Sequence, residues 1–505
     1  MAHPATASAG VVRHRPFRLA LVLLLALLLR GGLLAAAWHN APDLHTLYTG
    51  DSATYVTPAQ SLLTAGTFSA GPSPDGNLPE IYRTPGYPLL LTAGLRAEHL
   101  ELVTVALQMA LGLASILLLY HLAWKLTASP TAALVASLLM AVEPLSIVYT
   151  SYVMPETLFT FLLLASLSLL LHYLRASSLL ALVAAAILLA AATFVRPITY
   201  YLPALFALLL LVRAAIGRRD TSGCSTVSAG GAKAAGRGRA AGCLAAVAFG
   251  VLAFAPCAAW QVRNYRETGY SGFTGIPECN LYFSQAASIV ARQSGKPIQQ
   301  VQAEFGQYDE QLLAQLHGPA QAATIRRLGA EGRRIVMENP VDYAKIHLRS
   351  MVILLLDPGG SDLLCLLGRH SIAGSGMRPL NSGIVEMFGR LCREAPQLLY
   401  GTLAFGAVLG LLYGAATLGL VQSLRHFNWA WVFLFTMTVY FWLIGGTLGC
   451  ARLRHPVMPL VCMLGGWGLT SLAAWLRRAG RSAPISTVTR QTNSVRESVA
   501  VHQAA

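Results

Sequence analysis

Residues 16–55 read PFRLALVLLLALLLRGGLLAAAWHNAPDLHTLYTGDSATY, and the way this stretch divides decides the fold. Its first part, Phe17 to Trp38, is an apolar run as long as a bilayer-spanning helix, which needs about 20 residues. Trp38 closes the run where an aromatic ring sits at a membrane interface. The second part is polar and carries Pro42, Asp43 and Gly50-Asp51-Ser52. Arg13, His14 and Arg15 precede the run. A basic start before an apolar core is also the pattern of a cleaved signal peptide. The run is too long for a typical signal core, so we read it as a retained first span with its N-terminus in the cytosol.

Working outward, apolar runs recur at about 100–122, 130–149, 156–174, 178–195, 198–213, 241–259, 398–421, 429–449 and 456–476. Only 12% of residues are charged and 55% are hydrophobic, with a mean hydropathy of +0.54. A soluble chain would carry about twice that charge. The sequence therefore predicts an all-α polytopic membrane protein, a bundle of about ten transmembrane helices with extracytoplasmic loops. Residues 1–476 form one transmembrane domain. Within it, 38–98 are a first outer loop, 213–240 a basic cytosolic loop rich in Gly, Ala and Ser, and 260–396 a large outer loop. Residues 477–505 are expected to be a disordered cytosolic tail.

Inside the large loop, Val301, Phe305, Leu312 and Leu316 recur at helical spacing, which predicts a helix over Gln299 to Leu316. Ile346 to Leu356 is too short to cross a bilayer and is expected to lie along the surface, or to dip in and return. The net charge of +15 would suggest nucleic acid in a soluble protein. Here Lys and Arg flank the apolar runs, as orientation by positive-inside loops requires, so no nucleic-acid partner is expected. The eight cysteines show no CxxC pair or zinc spacing. Cys224 and Cys243 fall in the cytosolic loop, where they would stay reduced. Cys279, Cys365 and Cys392 fall outside, where two of them could pair, although the reading favours free thiols.

Chemistry-bearing residues gather at the expected outer ends of the spans. They are Gly50-Asp51, Tyr82-Arg83-Thr84-Pro85-Gly86-Tyr87-Pro88, Glu143-Pro144, Pro155-Glu156-Thr157-Leu158-Phe159, Arg196-Pro197, Trp260 with Arg263-Asn264-Tyr265, and Arg452-Leu453-Arg454-His455-Pro456. No P-loop or GxGxxG helix start appears, so nucleotide binding has no support. A midplane transport path would instead place ionisable groups within the spans.

In order and sidedness these motifs resemble the GT-C superfamily of integral-membrane glycosyltransferases, in the family 39-like branch containing aminoarabinose transferases and protein O-mannosyltransferases. The resemblance implies transfer of a monosaccharide, with inversion, from a polyprenyl-phosphate donor to an acceptor hydroxyl at the outer face of the membrane. If the chain is bacterial, that face is the periplasmic side of the inner membrane. The acceptor is then a cell-envelope glycolipid or polysaccharide, as in lipopolysaccharide assembly. Such a reaction needs a carboxylate to take the hydroxyl proton and cations for the departing phosphate. Asp51 is the expected base, and Glu156 either positions the acceptor or caps its helix. Arg452 and Arg454, with Arg83 and Arg263, are the expected phosphate-binding residues. Ser52 follows Asp51 where protein O-mannosyltransferases carry a second acid, so a divalent metal is not predicted and a protein acceptor is in doubt. The rival readings are a lipid or sugar transporter or flippase, expected to show inverted repeats and midplane polar groups, and a polysaccharide polymerase or ligase centred on the late loop.

Overall fold

The structure is a computed structural model that describes residues 15–73, 76–216, 229–316, 318–369, 389, 392–393, 396–446 and 448–481. It begins with α1 (Arg15–Asn40), α2 (Ala53–Thr64), a hairpin of β1 (Ser69–Ser73) with β2 (Gly76–Pro79), and α3 (Gly86–Arg96). The bundle continues through α4 (Leu100–Thr127), α5 (Pro130–Val142), α6 (Pro144–Ser151), α7 (Glu156–Ala176), α8 (Leu179–Val195), α9 (Leu202–Ile216) and α10 (Ala229–Thr268). Short helices follow: α11 (Ile276–Asn280), a π-helical turn Leu281–Ala286, α12 (Ala287–Ser294), α13 (Ile298–Glu304) and α14 (Glu310–Leu316). Next come α15 (Gln321–Glu338), α16 (Pro340–Leu356) and α17 (Gly360–Leu366). The last elements are α18 (Pro396–Arg425), α19 (Trp429–Gly445), a 3₁₀ segment Ala451–Val457 and α20 (Met458–Arg481).

Among the described residues, seven helices are long and apolar enough to cross a membrane, or eight if α5 and α6, bent by 51° at Glu143, count as one span. The two remaining expected spans, α8 and α19, are apolar helices of 17 residues each. Local chemistry sets the helix ends. Ser129 and Ser178 accept hydrogen bonds from the backbone N–H three residues on, Pro130 and Pro144 occupy first-turn positions, and Glu143 caps α6 through Leu145 N and Ser146 N. Helix α20 lies between α5 and α18. Glycines allow that approach, since a Cβ on Gly419 or Gly468 would run into the backbone of the facing helix.

Two expectations change. The basic loop is shorter than 213–240, because α9 runs to Ile216 and α10 starts at Ala229. Arg218, Arg219 and Cys224 lie outside the described residues, as does most of the tail. The helix expected over 299–316 is broken into α13 and α14, because Gly306 adopts φ +82° and ends the first piece. Cys279, Cys365 and Cys392 are free thiols.

The expected first outer loop is built around α2, the hairpin and α3, and it is joined to the late segment. Ile81 is fully buried in a small core with Tyr270, Phe283, Ile325 and Leu328. Gly275 N donates to the Ile81 carbonyl at 2.9 Å and Gln321 Nε2 to the Pro79 carbonyl at 2.6 Å. At the opposite end of α7, Arg175 donates to the Lys125 carbonyl and Arg213 to that of Leu174.

Candidate active site

Asp51 sits on the turn that opens α2. Ser52, fully buried, accepts from Thr49 N at 2.9 Å and donates to the Val153 carbonyl at 3.0 Å, which pins the turn to the link between α6 and α7. The Asp51 carboxylate lies between two guanidinium groups. Arg83 Nη2 donates to Oδ1 at 2.8 Å, and Arg452 Nη1 donates to Oδ2 at 2.6 Å. Arg83 is fixed by Nε donating to Thr54 Oγ1 at 2.8 Å and Nη1 donating to Tyr55 OH at 2.9 Å, with Tyr55 and Tyr82 against its face. Partial burial pushes the Asp51 carboxyl up. The charges and hydrogen bonds of Arg452 and Arg83 outweigh that and hold it well below the usual carboxylate range.

Arg452 also donates through Nε to Glu156 Oε1. Glu156 is fully buried at the start of α7, and Arg196 Nη1 stands 3.3 Å from the same oxygen. Asp51, Arg83, Arg452, Glu156 and Arg196 therefore form one chain of alternating charge drawn from five separate stretches of sequence. Asp51 keeps a side-chain exposure of 41%, so the cluster opens to its surroundings at the carboxylate.

Two predicted phosphate-binding residues are not brought to this cluster. Arg454 is buried, and its Nη1 donates to the carbonyls of Leu354, Leu355 and Asp357, closing the C-terminal end of α16. Arg263 donates to the carbonyls of Glu80 and Phe68 and lies over the Trp260 ring. It thereby braces the segment before Arg83, with Glu80 itself accepting from Arg83 N at 2.8 Å. Among the described residues no three His, Cys, Asp or Glu side chains converge to hold a metal.

The sequence reading missed two features. Asp362, on α17, accepts from Tyr149 OH at 2.6 Å through Oδ2, and its carbonyl accepts from Tyr152 OH at 2.6 Å. Burial, with Asp357 nearby, pushes its carboxyl up to about 6 despite the Tyr149 hydrogen bond. The second feature is Arg30, midway along α1 and buried, whose Nη1 donates to the Ala26 and Ala141 carbonyls. An ionised group inside a span is costly, and this one lies beside the bend between α5 and α6.

Residues 83–227 match the family model of dolichyl-phosphate-mannose-protein mannosyltransferases. That match spans less than a third of the chain and, with the helical polytopic fold, agrees with a likeness to the GT-C superfamily of integral-membrane glycosyltransferases. It starts at Arg83 and takes in Glu156 and Arg196. No curated protein sequence matches the chain. Among solved structures, the chain is similar to the archaeal oligosaccharyltransferase AglB from Archaeoglobus fulgidus in complex with an inhibitory peptide and a dolichol-phosphate. The identity is 13% and the TM-score 0.49, covering 98% of this chain and 54% of that one. It is also similar to the apo form of the Archaeoglobus fulgidus oligosaccharyltransferase, at 12% identity and a TM-score of 0.48, covering 93% of this chain and 52% of that one. The chain thus spans about half the length of these structures.

Proposed function

We propose that the protein transfers a monosaccharide from a polyprenyl-phosphate donor to the hydroxyl of a cell-envelope glycolipid or polysaccharide, with inversion, at the extracytoplasmic face of the membrane. The observation that carries this reading is the Asp51 carboxylate held between Arg83 and Arg452. A single partly open acid beside two guanidinium forks is the pairing required for proton removal next to a phosphate. In the resting arrangement both forks neutralise Asp51, which keeps it ionised and weakly basic. A donor phosphate competes for the Arg452 fork, and each contact it takes leaves Asp51 a stronger base. The acceptor oxygen then attacks the anomeric carbon. The bond from that carbon to the phosphate oxygen breaks with its electron pair on the phosphate, and the acceptor proton passes to Asp51. Glu156 orients Arg452 and does not touch substrate. Arg454 and Arg263 support the backbone around the site.

The test supplies the purified full-length protein in lipid with a panel of polyprenyl-phosphate sugars and envelope glycolipid fractions, and follows labelled sugar. Label moving to a glycolipid from one polyprenyl-phosphate sugar, and from no nucleotide sugar, is expected. Transfer from a nucleotide sugar would overturn the proposal, as would a failure of the whole panel alongside vectorial movement of the lipid across the bilayer.

A further inference from the structure

Helix α17 is clamped beside the Asp51 cluster. A Cβ on Gly359 would meet the Leu145 side chain and the Ala451 Cβ, and one on Gly360 would meet the backbone of Gly401 and Thr402. Asp357 Oδ2 accepts from Ala451 N at 2.9 Å, so the approach to α17 is bonded to the residue before Arg452. At the far end, Asn40 Nδ2 donates to the Leu367 carbonyl at 3.0 Å and ties the helix to the first outer segment.

Asp362 lies in the first turn of α17 and is half-buried. Tyr149 OH fixes its Oδ2 and Tyr152 OH fixes its carbonyl. Both tyrosines are buried, so they set the position of the acid from behind. Oδ1 accepts no hydrogen bond among the described residues, although each carboxylate oxygen has lone pairs for a donor. Burial keeps the carboxyl raised to about 6, and a donor on Oδ1 would lower it. Arg452 has the complementary feature. Its Nε serves Glu156 and its Nη1 serves Asp51, while Nη2 has no partner among the described residues. Arg452 and Glu156 are both near enough to Asp362 to act on its charge. An unused acceptor and an unused guanidinium nitrogen, each on a fixed side chain, therefore stand in one neighbourhood.

We infer that Asp362 selects the donor sugar by accepting a hydrogen bond from one of its hydroxyls while Arg452 Nη2 holds the adjoining phosphate. The inference rests on the reading of the protein as a transferase that uses polyprenyl-phosphate sugars. Such a donor presents this pair of groups, because its phosphate is joined directly to a ring that carries hydroxyls. A carboxylate makes the stronger kind of hydrogen bond with a hydroxyl, and an acid locked by supporting contacts discriminates better than a mobile one. The hydroxyl of the acceptor substrate gives its proton to Asp51, which leaves Asp362 to the donor. A polyprenyl phosphate without a sugar would satisfy Arg452 alone.

The test uses the full-length protein in nanodiscs and reads donor binding and transfer separately. Glucose, galactose and mannose on polyprenyl phosphate are compared with their monodeoxy analogues, binding being followed by native mass spectrometry without acceptor. For a sugar that binds, loss of one particular hydroxyl is expected to weaken binding to the wild type by about 10- to 100-fold, the range for a hydrogen bond to a charged group. In Asp362→Ala that penalty should fall below about threefold, while the penalties for the other hydroxyls stay as they were. Asp362→Asn keeps an oxygen for Tyr149, guards against misfolding of the alanine variant, and should show an intermediate penalty. Equal binding of all deoxy analogues by the wild type would overturn the inference, as would penalties that are the same in the wild type and both variants. Either result with transfer intact would leave the transferase reading standing and remove only the role of Asp362. Selective, Asp362-dependent binding without transfer would do the reverse, and failure of every sugar to bind would overturn both.

Discussion

Replacing Asp51 with Asn separates the proposed catalytic role of this residue from its place in the ion chain. The substitution removes the charge shared by Arg83 and Arg452, whose side chains are 7% and 23% exposed. A unit pair at contact is worth about 1 kcal/mol in water and about 4 kcal/mol near a protein surface. With Asp51 41% exposed, screening and the desolvation already spent reduce the net loss to about 2 kcal/mol. Asparagine keeps one acceptor oxygen, so one arginine contact survives, while the two guanidiniums lose the charge between them and Arg452 keeps Glu156 as a counter-charge. In detergent, thermal unfolding followed by size-exclusion chromatography should show a fall of a few degrees. Transfer should fall by about 10²–10⁴, the range for loss of a general base. Adding Arg83→Gln to Asp51→Asn removes the repulsion between the two guanidiniums, so stability should recover in part while transfer stays lost. Recovery of transfer together with stability would show that Asp51 acts only as a counter-charge. Wild-type transfer by Asp51→Asn alone would remove it from the mechanism.

Other consequences follow from the same geometry. Gly86→Ala would place a Cβ 2.6 Å from the Phe194 carbonyl carbon, and should cost about 1–3 kcal/mol of stability and reduce transfer by shifting Arg83, read as melting temperature and kcat. Arg454→Met removes the donor that closes α16 and should destabilise by about 2–4 kcal/mol with the donor KM unchanged, whereas a KM increase with normal stability would place Arg454 on the donor phosphate. Asp362, whose carboxyl rises from 3.8 to about 6 on folding, binds its proton more tightly in the folded state, so it costs stability as pH rises from 4 to 6 and no further above that. Asp362→Asn should therefore match the wild type at pH 4 and exceed it by about 1–2 kcal/mol at pH 7, once partial exposure is allowed for, and equal stability across that range would contradict the raised value.

The order of spans was legible because apolar length is a one-dimensional signal, and each expected run falls on an apolar helix. The gathering of Asp51, Arg83, Glu156 and Arg452 was also legible, because each sits where a polar segment meets an apolar run. What separates Arg452 from Arg454 was not. Two residues apart in a 3₁₀ segment, they point to different neighbours, one to Asp51 and the other to the end of α16. Asp362 escaped notice because its burial comes from Tyr149 and Tyr152, more than 200 positions away. The break at Gly306 was visible only as a glycine within an otherwise continuous apolar period.

The bond between Asp51 and Arg452 joins positions 401 residues apart, and it has a consequence for biosynthesis. The segment holding Asp51 leaves the ribosome early, while Arg452 arrives just ahead of the closing helix. Until that helix is threaded into the bilayer, the acid lacks one of its two counter-charges and Glu156 has only Arg196. A nascent or truncated chain that stops before residue 452 thus carries a half-built centre, so competence comes only with complete insertion.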